Sequence, residues 1–491
     1  MHRIVLNAKN MLIVSTNMND HSLAAREKAA GEKVFVVQDD NAAIRRLKEE
    51  AERYDDSGGG RLECYMVLSD PTSLWLLQTV GLPKDIEEKV DVFATTMEDL
   101  VAKSILVKLP NLQSDFPALD RIPIAYDSET TVHIVIVGFS NQAESLALNA
   151  ALVAHYPNYC KDTRLRTRIT IIDENVYDRR DRLTQRYVHL FDNSYYRTLN
   201  LNDTHPQCIL HRPMYEKEKR KDFVDVEWEF VNGNIRNDAV RQKLEEWSGD
   251  SRQLLTVAIC HPDFNRNFSE AFGLPQTVYK NEIPVLCHTK GNNMISVATN
   301  GEAYKSIYPF GNECCDINSL KTLKHLAQRV NYVYSHCFSL APDESITAPS
   351  SIDEKVLDKQ WKAVGSLPKQ YSNIFNAMTL GTKMHSIGHT SEDWKVYYAL
   401  TMEEINILTE VEHNRWSVEE LMLGYRPATA DEKKLIEADI SQKKVLRNKK
   451  IHYDLRAFDD LRADSTGKNV NVYDMALTQG IPLIIKSCIT D

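Results

Sequence analysis

The chain has 491 residues and a formal net charge of −10, from 59 lysines and arginines against 69 aspartates and glutamates. Hydrophobic residues make up 43% and charged residues 26% of the sequence, which is typical of a folded globular protein and excludes a disordered class. The acidic balance disfavours a dedicated nucleic-acid binder, and the length predicts two to four domains rather than one hydrophobic core.

The nine cysteines are scattered, and neither a C-x-x-C pair nor a Cys/His spacing suited to zinc occurs. We therefore expect no metal site and a reducing, cytoplasmic location. No apolar run approaches the ~18 residues needed to cross a bilayer, so any role at a membrane would come through a partner protein.

The first part of the chain, residues 1–125, alternates apolar runs with helix-like segments such as Ala42–Tyr54. The runs are strand-length and rich in β-branched residues: Met11–Thr16, Lys33–Val37, Glu63–Ser69 and Lys89–Ala94. Strands separated by helices predict βαβ units and a parallel sheet. Because Asn17–Asp20 after the first strand contains no glycine, we interpret this unit as a degenerate Rossmann-like domain with a structural or dimerisation role.

The same pattern starts again near residue 130 and predicts a second Rossmann-like domain over residues 126–310. Its strand-like runs are Val132–Val137, Arg168–Asp173, Val224–Val231, Leu254–Cys260 and Ile283–Leu286. After Gly311 the strand-like runs give way to helical patterns, which predict a helical linker over residues 311–351 and a mainly α-helical C-terminal domain over residues 352–491. The predicted fold class is α/β, with two tandem doubly wound parallel sheets followed by a helical domain.

The turn after Val132–Val137 is a candidate nucleotide site. Its sequence GFSNQA starts at Gly138, so that Ser140, Asn141 and Gln142 lead into a helix whose free N–H groups would face a pyrophosphate. Compared with G-x-G-x-x-G, serine replaces the second glycine and alanine the third. Asp173 ends the next strand, where an acidic side chain would bind ribose hydroxyls. The alternative is a turn that is rich in small residues and binds nothing.

This turn, the acidic strand end and the tandem arrangement resemble the Trk/RCK-type Rossmann domains that regulate potassium transport. The resemblance implies that the domain senses NAD or another adenine nucleotide without turning it over.

His261 follows the strand Leu254–Cys260, on the edge where open α/β sheets bind ligands. We interpret it as lining the nucleotide site, with a catalytic role as the alternative. The run Arg179–Arg182 is predicted to be a solvated face, with contact to a phosphate or a partner as the alternative. No G-x-S-x-G, H-E-x-x-H or Walker A motif occurs in the sequence, so we assign no catalytic residue.

The C-terminal part contains three ordered motifs: a helix-and-loop segment Leu408–Pro427 that includes EHNRWSVEE and GYRP, the element Lys450–Leu455 (KIHYDL), and a lead-in Trp361–Met384. Together they resemble the ryanodine-receptor repeat (RyR) domain and its bacterial relatives. The resemblance implies a cytoplasmic ligand sensor involved in ion-flux control or antiviral nucleotide signalling. One departure is the Lys/Glu-rich insertion Ala428–Asn448.

The RyR-like segment supplies a second set of candidate ligand residues. Glu412, Arg415 and Trp416 share one helix face with Glu419, since they stand at i, i+3, i+4 and i+7. The loop residues with side chains suited to stacking on a base or gripping phosphate are Tyr425, Arg426, Lys450 and His452. The alternative is that Trp416 is core and that Glu412 with Arg415 is an internal ion pair.

We therefore predict a cytoplasmic, homo-oligomeric regulator that binds a small nucleotide-derived ligand, such as an ADP-ribose-, NAD- or cyclic-nucleotide-like molecule. It would relay binding to a membrane channel or another effector, without binding nucleic acid or inserting into the membrane. Two alternatives stay open. One is an NAD(P)-dependent oxidoreductase that uses the Gly138 turn and His261, and the other is a structural assembly protein with vestigial sites.

Overall fold

The computed structural model describes residues 11–15, 33–54, 61–109, 116–117, 119–202, 207–290, 302–311, 317–339, 347–390, 399–462 and 471–486. Over these residues the predicted α/β class is confirmed, with two mainly parallel sheets followed by a helical region. The turn Asn17–Asp20 lies outside the described residues. No helix among the described residues is long and apolar enough to cross a membrane.

The N-terminal sheet has four described strands in the order β2-β1-β3-β4, all parallel. The strands are β1 (Met11–Ser15), β2 (Lys33–Val36), β3 (Leu62–Leu68) and β4 (Val90–Thr96). The helices are α1 (Asp40–Arg53), α2 (Pro71–Val80), α3 (Lys84–Glu87) and α4 (Met97–Leu106). The aspartates that end β2 serve local structure: Asp39 caps α1 through the Ala42 N–H at 2.7 Å, and Asp40 accepts the Ser69 N–H at 2.8 Å.

The second sheet has eight described strands in the order β12-β11-β10-β5-β6-β9-β7-β8. Its strands are β5 (Thr131–Val137), β6 (Thr167–Asp173), β7 (Tyr195–Asn200), β8 (Gln207–His211), β9 (Val226–Asn232), β10 (Gln253–Ile259), β11 (Val285–His288) and β12 (Ile307–Phe310). Its helices are α5 (Asn141–Val153), α6 (Asn158–Lys161), α7 (Val176–Arg186), α8 (Val188–Asn193), α9 (Met214–Lys217), α10 (Asp238–Gly249), α11 (Phe264–Ala271) and α12 (Gln276–Lys280), with a 3₁₀ turn at Glu302–Tyr304.

The strand order of this sheet is that of a doubly wound, Rossmann-like fold. Leaving out the hairpin β7–β8, the order β9-β6-β5-β10-β11-β12 is the 3-2-1-4-5-6 arrangement, and the chain reverses direction across the sheet between β5 and β10. Both faces of β5 are covered: Ile134 and Ile136 belong to one hydrophobic cluster, and Val135 and Val137 to another. The antiparallel hairpin β7–β8 is an addition that the sequence analysis missed.

The region after residue 311 is mainly helical. Its helices are α13 (Ile317–Ser339), α14 (Leu357–Ala363), α15 (Leu367–Met378), α16 (Leu380–Ser386), α17 (Met402–Met422), α18 (Ala430–Ala438), α19 (Gln442–Arg447), α20 (Phe458–Arg462) and α21 (Asn471–Ile485), with a 3₁₀ turn at Glu354–Val356. Two short parallel strands, β13 (Arg426–Pro427) and β14 (Ile451–His452), pair within it. The capping box that begins α17 is confirmed: Glu404 N–H donates to Thr401 Oγ1 at 3.3 Å, and Thr401 N–H donates to Glu404 Oε2 at 2.7 Å.

Helices of the C-terminal region pack on the N-terminal sheet. Lys324 on α13 lies 2.6 Å from Glu63 and 2.5 Å from Asp91. On α15, the Tyr371 hydroxyl accepts the Ala94 N–H at 3.1 Å and donates to the Ala94 carbonyl oxygen at 2.5 Å. Ala94 lies on β4, the last described strand on its side of the sheet, so Tyr371 occupies backbone groups that an edge strand would otherwise expose.

One hydrophobic cluster is shared by all three predicted units. It contains Tyr65 from β3, Leu146 from α5 and Leu408 from α17, all of them fully buried. The apolar core therefore continues across the predicted boundaries near residues 125, 310 and 351. The division into folding units at these residues stays a prediction.

Candidate functional site

The carboxyl edge between β5 and β10 is the point where the strand order reverses, and open α/β sheets bind ligands at such points. Gly138 leaves β5 with a φ of 85°, in the region that favours glycine. A Cβ at this position would lie 2.6 Å from Nδ1 of His261 and 2.8 Å from its backbone nitrogen. The first predicted site residue therefore contacts His261, and glycine is required by both backbone conformation and space.

Replacing Gly138 by alanine is expected to lower the free energy of unfolding by about 1–2 kcal/mol from backbone conformation alone, with the His261 contact adding to that loss. Gly249→Ala is the matched control, because no atom lies within 4 Å of a Cβ placed there. Urea denaturation of the two variants measures the difference. Equal stabilities would contradict the geometry at Gly138.

The residues after Gly138 are used within the fold. Ser140 caps α5 by accepting the Ala143 N–H on its Oγ at 3.2 Å. Gln142 is buried and donates to the Glu98 carbonyl oxygen of α4 at 3.2 Å, which ties the turn to the N-terminal unit. The Asn141 side-chain oxygen accepts from Arg179 Nη1 at 3.2 Å. Arg179 on α7, interpreted from sequence as part of a solvated face, thus contacts the first residue of α5.

Asp173 fixes the backbone at this edge of the sheet through two hydrogen bonds. Its two carboxylate oxygens accept the N–H groups of Phe139 at 2.8 Å and Asn175 at 2.9 Å. The Phe139 side chain is buried. The acidic strand end is therefore close to the turn, but both of its oxygens already have backbone partners.

His261 is buried and held on two sides. Its Nε2 lies 2.8 Å from Glu270 Oε2, and its backbone N–H donates to Asn267 Oδ1 at 2.8 Å. Arg266 continues the chain of contacts by donating to Glu270 at 2.7 Å and to Glu174 at 2.6 Å. Through Glu270 and Arg266, hydrogen-bonded polar side chains thus connect the end of β10 with the end of β6 at this edge of the sheet.

The predicted helix face on α17 forms a buried ion network. Arg415 donates to both carboxylate oxygens of Glu412, at 2.9 and 2.8 Å, and also bonds Glu419. Glu412 further accepts from Asn376 at 2.7 Å and from Lys383. Burial would raise the pKa of Glu412, but the two cations outweigh it and lower that pKa to about 2. Glu412 and Arg415 are therefore an internal ion pair, the alternative left open by the sequence.

The other RyR-like residues come together in an aromatic–lysine cluster of Trp416, Tyr425, Lys450 and His452. The imidazole of His452 lies edge-on to Trp416 at 4.8 Å and to Tyr425 at 5.9 Å between ring centroids. Lys450 Nζ lies 4.2 Å from the Tyr425 ring centroid. Trp416, Tyr425 and Lys450 are half-buried, so the cluster combines ring faces and a cation at a partly open position.

Backbone geometry positions the cluster. Gly424 ends α17 with a φ of 85°, and the Arg426 N–H then donates to the Lys450 carbonyl oxygen at 2.9 Å where β13 meets β14. Lys450 itself has a positive φ of 60° and donates from Nζ to the Leu423 carbonyl oxygen at 3.1 Å. Burial lowers the pKa of His452 to about 3, so its imidazole is neutral at physiological pH.

Arg426 is engaged by the insertion that distinguishes this chain from the RyR pattern. Its guanidinium makes a bidentate pair with Glu432, at 2.9 and 2.7 Å. Glu432 is also the third residue of the capping box that Thr429 begins on α18. The predicted phosphate-binding arginine therefore already has a carboxylate partner.

Sequence reasoning missed two buried ionisable side chains beside these residues. Lys383, quoted only as part of the lead-in motif, contacts Glu412 in the network. Glu420 is buried next to Glu419, and its Oε2 has no hydrogen-bond partner among the described residues. The available signal was a pair of adjacent glutamates in an otherwise apolar turn of helix, VEELM.

A cavity of about 40 Å³ lies where the three predicted units meet. Leu74 of α2, Asn149 of α5, Phe375 of α15 and Leu423 at the end of α17 are among its lining residues. That volume suits a few water molecules and not a nucleotide.

Comparisons of the chain with protein-family models, with curated proteins and with solved structures each returned no match. The Trk/RCK-type and RyR resemblances therefore stay predictions.

Proposed function

We propose that this protein is a regulator that binds a nucleotide-derived ligand at the aromatic–lysine cluster and relays binding to an effector or ion-transport partner. The observation that carries the proposal is the placement of Lys450 over the face of Tyr425, with His452 against both Tyr425 and Trp416. The four residues come from two segments 25 or more positions apart in sequence, and β13 and β14 bring them together.

The chemistry of the cluster suits a phosphorylated aromatic ligand. A lysine ammonium offers three N–H donors and a full charge to phosphate oxygens, and in this protein one of them is donated to Leu423. Tyrosine and tryptophan offer ring faces on which a base can stack, with about 1–3 kcal/mol per stacked base. Neutral His452 contributes a ring without adding repulsion to the lysine.

The packing of α17 provides a route for relay. This helix contacts α5 and α8 of the second unit and α15 and α21 of its own region. Asn414 Nδ2 also lies 3.7 Å from Cys160 Sγ on α6. A ligand that binds one position of α17 better than another would therefore shift contacts with the candidate nucleotide edge, as any such switch requires.

Isothermal titration with ADP-ribose, NAD, ATP and a cyclic dinucleotide tests the proposal. At least one of these ligands is expected to bind, and Lys450→Met is expected to weaken its binding about 10- to 100-fold, because a charged hydrogen bond contributes about 1.5–3 kcal/mol. Lys434→Met is the matched control, since Lys434 is an exposed lysine on α18 that pairs with Asp431 of the same helix at 3.1 Å.

Two results would contradict the proposal: absence of binding by every ligand in the panel, or equal affinity of the Lys450→Met variant and the wild type. The oxidoreductase alternative is distinguished by the absorbance of the nicotinamide ring. This absorbance changes when an enzyme transfers hydride and stays constant when a regulator only binds NAD. A structural protein without a ligand would keep one melting temperature across the panel.

A further inference from the structure

The strand β8 is the last described strand on one side of the eight-stranded sheet. It pairs antiparallel with β7, from Tyr196 opposite His211 to Asn200 opposite Gln207. No strand in the described ranges pairs with its other edge, and no hydrogen bond from the described residues reaches the backbone of Gln207–His211 on that side. Within the described part of the chain, its outer row of N–H and C=O groups therefore has no partner.

The side chains of β8 are unusually apolar for an edge strand. Its sequence is QCILH, with Ile209 56% exposed, Leu210 48% exposed and Cys208 also on the surface. Ile209 and Leu210 lie on opposite faces because successive strand residues alternate, so both faces of β8 present an aliphatic side chain to solvent. Edge strands are usually protected by lysine, proline or a bulge, and β8 contains no lysine or proline.

The edge strand β4 of the N-terminal sheet differs from β8, because another part of the chain binds its backbone. At β4 the Tyr371 hydroxyl binds both backbone groups of Ala94, so the chain itself satisfies the edge at that residue. The part of the chain that the structure describes supplies no such cover for β8.

We propose that β8 is a self-association surface, on which two copies of this chain pair their β8 strands antiparallel about a two-fold axis. The second copy is favoured over other occupants by charge. A two-fold axis brings the same five side chains of both copies together, so a strand carrying charge of one sign would meet like charge, and this chain carries a net charge of −10. Gln207–His211 contains no lysine, arginine, aspartate or glutamate.

The length of the strand selects the register. All five residues find partners when the axis passes through Ile209, which then faces the partner's Ile209. Cys208 faces the partner's Leu210, and Gln207 faces the partner's His211. This pairing places an isoleucine pair on one face and Cys–Leu pairs on the other, so the exposed aliphatic side chains on both faces contact each other.

Sedimentation equilibrium of the full chain tests the surface. The wild type is expected to be a dimer, and Ile209→Lys is expected to be a monomer because it places two ammonium groups side by side on the axis. Leu76→Lys, at a position 47% exposed on α2, is the matched control and is expected to remain a dimer. A wild type that is monomeric at every concentration, or a dimer that survives Ile209→Lys, would overturn the proposal.

Cross-linking tests the register without relying on a disruptive variant. Leu210→Cys places a cysteine opposite the partner's Cys208, and mild oxidation is expected to link the two copies covalently. The wild type and the double variant Leu210→Cys with Cys208→Ser are expected to stay unlinked through β8. A Leu210→Cys protein that dimerises but forms no additional cross-link would overturn the antiparallel pairing about Ile209.

Discussion

Replacing Arg415 by methionine is expected to lower the free energy of unfolding by about 3–5 kcal/mol, because the change leaves buried carboxylates without their main counter-charge. Arg415 is 2% exposed, and its guanidinium bonds both Glu412 and Glu419. Methionine retains most of the side-chain volume, so the loss measures electrostatics more than packing. Urea denaturation monitored by circular dichroism gives the change in midpoint and free energy.

The control for Arg415 is an arginine in an exposed pair. Arg182 lies 2.9 Å from Asp178 on α7 with 72% of its side chain exposed, and Arg182→Met is expected to cost at most about 1 kcal/mol. Adding Glu419→Gln to Arg415→Met should recover part of the stability, since Glu412 keeps its contact with Lys383 and no ionised glutamate of this network then lacks a cation. A double variant less stable than Arg415→Met alone would contradict the origin of the penalty.

Glu420 is expected to make stability depend on pH. Burial, together with the charge of neighbouring Glu419, raises the pKa of Glu420 to about 7, against the opposing influence of Arg447, Lys450 and Arg415. Between pH 4.5 and pH 7, Glu420 is therefore mainly protonated in the folded state and mainly ionised in the unfolded state, where a glutamate has a pKa near 4.5. The contribution of this group is fully present below pH 4.5 and is lost as pH rises to 7, by about 3 kcal/mol in total.

Glu420→Gln removes this dependence, because glutamine resembles the protonated acid at every pH. The stability of the variant minus that of the wild type is expected to rise by about 3 kcal/mol between pH 4.5 and pH 8. Glu437→Gln, at an exposed position on α18, is the control and should show no comparable trend. A constant difference between Glu420→Gln and the wild type across this range would show that the carboxyl is ionised throughout.

The strands and most helices could be predicted from local sequence. Val132–Val137 was identified as a central strand from its unbroken apolar run, and it is β5 with both faces covered. The capping box at Thr401 and Glu404 predicted the start of α17 because its hydrogen bonds join residues three apart. The hairpin β7–β8 was missed, since its strand YYRTLN mixes apolar and polar residues without a clear period.

The roles of the candidate site residues were less predictable. Spacing placed Glu412 and Arg415 on one helix face, but a shared face does not say which element covers it. In the fold, α15 and α16 cover it through Asn376 and Lys383, 36 and 29 residues away, and the pair becomes internal. Arg426 likewise has Glu432 as its partner only because the insertion folds into a capped helix beside it.

The sequence by itself determined the α/β class, the order of strands and helices, and the position of the Gly138 turn, because those features depend on apolar periodicity and on backbone requirements within a few residues. Only the tertiary structure decided which polar side chains are buried and paired, which rings gather around Lys450, and that the outer edge of β8 has no partner among the described residues. Those outcomes depend on contacts between distant segments, where the free energy of burying a charge or a backbone group is set by what packs against it.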